Sequence, residues 1–172
     1  FRYGLPEKVG GWQSLINDTI VGVARKMLPF VDNDGNRYVA IGTDKFLLIY
    51  FEGQLFDITP LKADITGATI ATVDTSATCT ITTSSAHGMN EGDIVLFDSV
   101  TLPGGTGYTA ADFEDKNFQV ISVPTPTTFT ITQSSNATGT VATGGSITLK
   151  PYEPVGPAAQ NYGYGFGIGN YG

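Results

Sequence analysis

Several chemistries are short of their raw material in this chain. It has one cysteine, one histidine, one tryptophan and two methionines in 172 residues. A single thiol closes no internal disulfide, and no CxxC pair is present to hold zinc. Cys79 lies in the alternating run ATCTITT, where it reads as a small buried apolar residue. A lone histidine excludes a two-histidine metal site. His87, in the turn-like SSAHGMNEGD, reads as a loop residue whose imidazole bonds nearby backbone. No apolar run is long enough to span a bilayer. The chain also opens without a basic stretch followed by an apolar one. An opening on Phe1 rather than methionine is expected of a piece of a longer chain.

Basic residues are scarce as well, and unevenly placed. Nine Lys and Arg stand against sixteen Asp and Glu, for a net charge of -7. Residues 1–62 carry seven of each sign, whereas residues 63–149 carry Lys116 alone against eight acids. Lys150 and Glu153 balance one another in the remainder. Tight binding of nucleic acid is therefore not expected, because phosphate contacts need cations. The charge step at residue 63 divides the chain into 1–62, an acidic module over 63–149, and an extension over 150–172.

What is present is turn and strand material: 22 glycines, 9 prolines and 41% hydrophobic residues. In 20–62, VGVARKMLPF, RYVAIGT and KFLLIYFEGQLFDITP read as four strands. The turns between them include DNDGN and Glu52-Gly53-Gln54. A helix over 19–28 is the alternative for the first of these. Such a four-strand meander is also the pattern of one β-propeller blade. Twenty of the 87 residues in 63–149 are threonine, whose stiff branched side chain suits a pleated surface that faces water. Six short strands are expected there: ATIATVD, TCTITT, DIVLFDSV, NFQVISV, TFTITQ and SITLK. YTAADFEDK reads as a helical turn. The expected fold is all-β, a partial propeller-like meander plus an inserted small barrel or sandwich.

Reactive constellations are hard to assemble from this inventory. Asp112, Glu114 and Asp115 cluster in DFEDK, and Glu91 and Asp93 in NEGD. Paired carboxylates can cleave glycosides or bind calcium, yet neighbours in one loop seldom face each other across a cleft. DNDGN has no glutamate at the twelfth position of a calcium loop, which is Thr43. GYGFGIG has neither the strand nor the helix of a dinucleotide fingerprint. No enzyme, cofactor or metal is expected. The 16-residue loop TLPGGTGYTAADFEDK exceeds what a connection needs, and Tyr108 and Phe113 in it could stack on a sugar. The other aromatics expected to make assembly contacts are Trp12, Tyr162, Tyr164, Phe166 and Tyr171, the last four in a glycine-rich run.

Two stretches also carry a family likeness. Arg2, Gly4, Pro6, Gly10, Gly11 and Trp12, then Ile41-Gly42-Thr43 and Asp57-Ile58-Thr59-Pro60, resemble the opening of tail-assembly proteins of short-tailed bacteriophages. These are stopper and tail-nozzle proteins that continue the portal channel. The likeness covers residues 1–62 and implies the first blade of a β-propeller. His87, Gly88, Gly92, Asp93, Phe118, Val120, Thr128, Phe129 and Thr130 are similar to small β-modules inserted in many phage virion proteins. That second likeness implies fold alone. The glycine-aromatic run resembles a segment that leads into further blades, although this chain supplies about one blade and a propeller usually needs at least four. Together the resemblances imply a structural virion protein of the tail, part of a nozzle, tube or head-to-tail connector. Its partners would be identical copies in a ring, expected to be a hexamer, and other tail, portal or adaptor proteins, with DNA passing through the ring. The alternative is a receptor- or glycan-binding tail appendage that touches the host surface.

Overall fold

A computed structural model of the protein describes residues 20–155. Within these the protein is all-β, in two sheets. The smaller is an antiparallel meander of β1 (Ala24–Val31), β2 (Arg37–Thr43), β3 (Leu47–Phe51) and β4 (Gln54–Asp57). The helical alternative for the first segment is not realised. Residues 24–31 pair with β2 instead, over the whole length of that strand.

Local chemistry makes each turn. The Asp32 carboxylate accepts the backbone N–H groups of Asp34 and Asn36, the Asn36 side-chain amide and the Tyr38 hydroxyl. These bonds, the Asn36 amide above all, hold the Asp32 carboxyl below its usual range. DNDGN is thus a self-capped hairpin turn rather than a calcium loop. Glu52 and Gly53 both have positive φ, 46° and 88°, the backbone of a two-residue hairpin turn. Between β2 and β3 the Thr43 hydroxyl oxygen accepts the N–H groups of Lys45 and Phe46. After β4 the Thr59 hydroxyl oxygen accepts from Leu47, while Asp57 accepts from the Thr59 backbone. Ile-Gly-Thr and Asp-Ile-Thr-Pro are therefore, in this fold, turn-closing devices.

The larger sheet holds β5 (Ile65–Thr72), β6 (Thr78–Thr82), β7 (Ile94–Thr101), β8 (Lys116–Gln119), β9 (Ser122–Thr125), β10 (Thr128–Thr132) and β11 (Val141–Pro151). All six expected strand segments are present, with NFQVISV split between β8 and β9. The spatial order is β8-β7-β11-β5-β6-β10-β9. Its two ends belong to one bent strand, because β8 runs through Val120 and Ile121 into β9. The Val120 N–H bonds Asp93 on the β7 side, and the Ile121 N–H bonds Thr130 on β10. The sheet thereby curls into a small barrel.

The period-two pattern fills that barrel. Ile70, Cys79, Ile81, Val95, Phe97, Phe129, Ile131, Ile147 and Leu149 point inward and are fully buried. Threonines alternate with them, and register brings Thr128 against Thr82, Thr130 against Thr80 and Thr132 against Thr78. β-branched side chains packed side by side suit a wet pleated face. Gly145, at φ 79°, sits where β11 bulges past the Thr101 carbonyl, and a Cβ there would strike that oxygen. TAAD forms a short 3-10 turn over Ala110–Asp112, capped by reciprocal bonds between Thr109 and Asp112.

The chain enters and leaves the barrel at one place. The Lys62 N–H bonds the Pro151 carbonyl and the Glu153 N–H bonds the Pro60 carbonyl, both at 2.8 Å, around a Leu61–Tyr152 bridge. Beside this clasp Phe46, Ile94 and Tyr152 form a second buried cluster, joined by Leu48 and Leu96. Phe46 and Tyr152 meet edge to face at 5.2 Å, and the Tyr152 hydroxyl donates to Asp57 at 3.1 Å. The Lys45 ammonium donates to the Gly92 carbonyl. Among the described residues the small sheet has no buried cluster except this shared one. Truncating Phe97, stacked in the barrel core and fully buried, should cost about 3–5 kcal/mol as Phe97→Ala. Urea unfolding followed by circular dichroism would register it as a lower midpoint with little change in slope.

Candidate functional site

Register defines the two faces of the small sheet, since residues directly opposite one another share a side. One face carries the row Leu28–Ala40–Ile49–Phe56 and, next to it, Phe30–Tyr38–Phe51. The three aromatic rings stack at 5.2 and 4.6 Å. No charged side chain interrupts either row; Lys26 stands at the margin. The other face carries Met27–Ile41–Leu48–Asp57 and Pro29–Val39–Tyr50–Leu55. Part of that face meets the shared cluster. Even so, Met27 is 61% exposed, Leu28 57%, Phe56 46% and Phe30 39%. A sheet that faced water on one side would alternate apolar with polar. This one is mainly apolar on both, with Asp57 on the second face and Lys26 at the margin of the first.

Two clefts accompany it. One, of about 180 Å³, lies where the sheets meet and is lined by Asp44, Lys45, Glu91, Asp93, Tyr152 and Glu153. The other, of about 650 Å³, opens where β8 and β10 diverge; Asp115, Lys116, Asn117, Gln119, Gln133 and Ser134 are among the residues that line it. Amides and hydroxyls share this second cleft with one carboxylate and one ammonium, so it offers donors and acceptors of both kinds.

The acidic loop resolves into separate jobs. Both Glu114 oxygens accept backbone N–H groups, from Ser99 at 2.9 Å and Val100 at 2.7 Å. They steady Ser99, whose φ is 49°. Asp112 accepts from the Thr109 backbone, which holds its carboxyl below the usual range. Asp98 pairs with Lys150 at 2.6 Å, and the ammonium likewise lowers the Asp98 carboxyl. Oxygens of Asp98, Glu114 and Asp115 come within 4.8 Å of one another. The Lys150 ammonium already neutralises one of the three, and backbone amides use both oxygens of another.

The two aromatics of the long loop pack against the barrel end to different depths. Phe113 is fully buried and lies 5.9 Å from Phe97, 5.6 Å from Phe118 and 5.4 Å from Tyr108. It presents no face to solvent. Tyr108 is half-buried against it and donates its hydroxyl proton to the Ser135 carbonyl. The loop is long because it folds two aromatic rings back into the barrel end. Trp12, Tyr162, Tyr164, Phe166 and Tyr171 lie outside the described residues. His87 is buried, accepts the Met89 N–H on Nδ1, and packs edge-on against Phe129. Its Nε2 has no hydrogen-bond partner. Sequence reasoning missed Phe46, Ile94 and Tyr152, which lie far apart along the chain and meet only through the clasp.

No family model matches the chain, and no curated protein matches it. Among solved structures, the phage phi92 endosialidase is similar at a TM-score of 0.38 and 23% identity. The likeness covers 69% of this chain and 17% of that one. What stands firmly is the class of protein: all-β, a curled seven-stranded sheet beside a separate four-stranded one.

Burial pushes the Tyr108 hydroxyl up to about 12, with the Cys79 sulfur beside it adding to the effect. The folded protein therefore holds this proton more tightly than the unfolded chain does. The stabilisation is complete below pH 10 and is lost as pH rises from there through about 12. Thermal unfolding between pH 8 and 12 should show a steeper alkaline loss in the native sequence than in Tyr108→Phe. Equal slopes would mean that Tyr108 ionises as freely folded as unfolded.

Proposed function

We propose that this chain is a structural component of a bacteriophage tail. In this reading the small sheet is part of a tube, nozzle or connector wall, and the barrel is a module that projects from it. The observation that carries the proposal is the small sheet itself. A meander mainly apolar on both faces is built to lie between two layers. Stacked propeller blades, or subunits in a ring, provide such layers. The clasp at Pro60–Lys62 and Pro151–Glu153 supports the second half of the reading. Chain ends that leave a module side by side let it be inserted without disturbing its parent. The tail assignment also draws on the likeness of residues 1–62 to short-tailed phage tail proteins. With its strong acidic excess, the barrel suits the outside of a DNA-conducting tube better than its lumen.

A second reading keeps the barrel as a glycan- or receptor-binding appendage. The cleft between β8 and β10, where amides and hydroxyls stand beside Asp115 and Lys116, favours it. Two measurements separate these readings. Mass spectrometry and cryo-imaging of purified particles should find the polypeptide in a fixed, symmetric position along the tail. Its absence from particles would end the structural proposal. Glycan-array binding that is lost in Asn117→Ala/Gln119→Ala, with the fold intact by circular dichroism, would favour the appendage instead.

A further inference from the structure

The face of the small sheet that carries Leu28, Ala40, Ile49 and Phe56 is covered by nothing among the described residues. The barrel packs on the other side of this sheet, through Phe46 and Leu48, so a second molecule can approach. We infer that this face pairs with the same face of a second copy of the chain, about a two-fold axis that crosses the strands. Three observations select that occupant.

The first is shape. One half of the face is hollow, with a depression of about 190 Å³ where the small residues Ala40 and Gly42 lie between Leu28 and Leu47. The other half is bulky, with the rings of Phe30, Tyr38 and Phe51 stacked at 5.2 and 4.6 Å. A two-fold axis running across the strands, between these halves, turns each onto the other. It sets β1 antiparallel over the β1 of the second copy. The row Leu28–Ala40–Ile49 then lies against Phe30–Tyr38–Phe51 of the other copy, small and aliphatic side chains against rings. Sheets pack face to face in this way at ~10 Å.

The second is charge. A face that meets its own copy brings like charges together wherever it carries them, and Leu28–Ala40–Ile49–Phe56 and Phe30–Tyr38–Phe51 carry none. At the margins the same axis sets Lys26 of each copy over the Asp32 end of the other β1, opposite charges at both ends. The third is the rim. Copies joined edge to edge would need the donors of an outer strand, and Pro29 removes one from β1. The face, not the rim, is left for pairing.

Size sets the strength. Four strands wide and eight residues long at β1, the face has a footprint on the order of 400 Å² per copy. Twice that area lies at the low end of specific interfaces, so the pair is reversible and forms at micromolar concentrations.

The test is sedimentation of the full chain across the micromolar range. The native sequence should move from monomer to dimer as concentration rises. Leu28→Asp, at an exposed position, should raise the dissociation constant about tenfold or more with circular dichroism unchanged. Lys26→Glu should weaken the dimer, and Lys26→Arg should keep it. A monomer at every concentration, or dimers indifferent to both Leu28→Asp and Lys26→Glu, would overturn the inference. Cross-linking then reads the axis. Leu28→Cys protein mixed with Phe30→Cys protein and a short bis-maleimide should give the mixed dimer, with the buried native Cys79 as background control. Leu28→Cys mixed with Phe56→Cys should not, because β1 and β4 lie at opposite margins. The reverse result would mean that the axis runs along the strands, and would overturn this pairing. None of these outcomes depends on whether the protein resides in a phage tail.

Discussion

Two backbone hydrogen bonds and one bridge, between residues 60–62 and 151–153, tie the two halves of this structure together. They bring the start and finish of the barrel to one point. They also deliver Tyr152 to Phe46 and Asp57, so the small sheet borrows its buried cluster from the barrel's border. Without that junction the small sheet would be a bare meander, marginal on its own. The barrel depends on it less, because its core of aromatic and branched residues is closed around the bent strand at 116–125.

The two sheets handle their edges in opposite ways. The barrel hides its edges by letting one strand pair with β7 through its first half and with β10 through its second. The meander leaves β1 and β4 at its rims. Pro29 removes one donor from β1, which blunts that rim against unwanted pairing.

Much of the fold was legible because its signals are local. DNDGN and Glu-Gly-Gln announce hairpins through residues that tolerate the backbone those turns need, and both are where the sequence puts them. Alternation of Thr with Ile, Cys and Phe identified β6 and β10, because a pleated strand sorts its neighbours to opposite sides. The start of β11 was hidden: Val141–Gly145 reads as turn material, and only its pairing with β5 makes it strand. Phe113 misled for a related reason. Surrounded by Asp and Glu, it looks like a surface residue, yet the 3-10 turn at Ala110–Asp112 rotates it inward. Tyr152, between Pro151 and Glu153, gave no hint that it would meet Phe46 more than a hundred positions earlier.

The clasp also has a mechanical meaning. Its two strands run antiparallel and the outer chain departs from the same end of both. Tension between residues 60 and 153 would therefore act on the bonds in succession, as in peeling, rather than on all at once. A pull along the polypeptide would part the clasp before any load reached the barrel, and the barrel would travel along as an undeformed passenger.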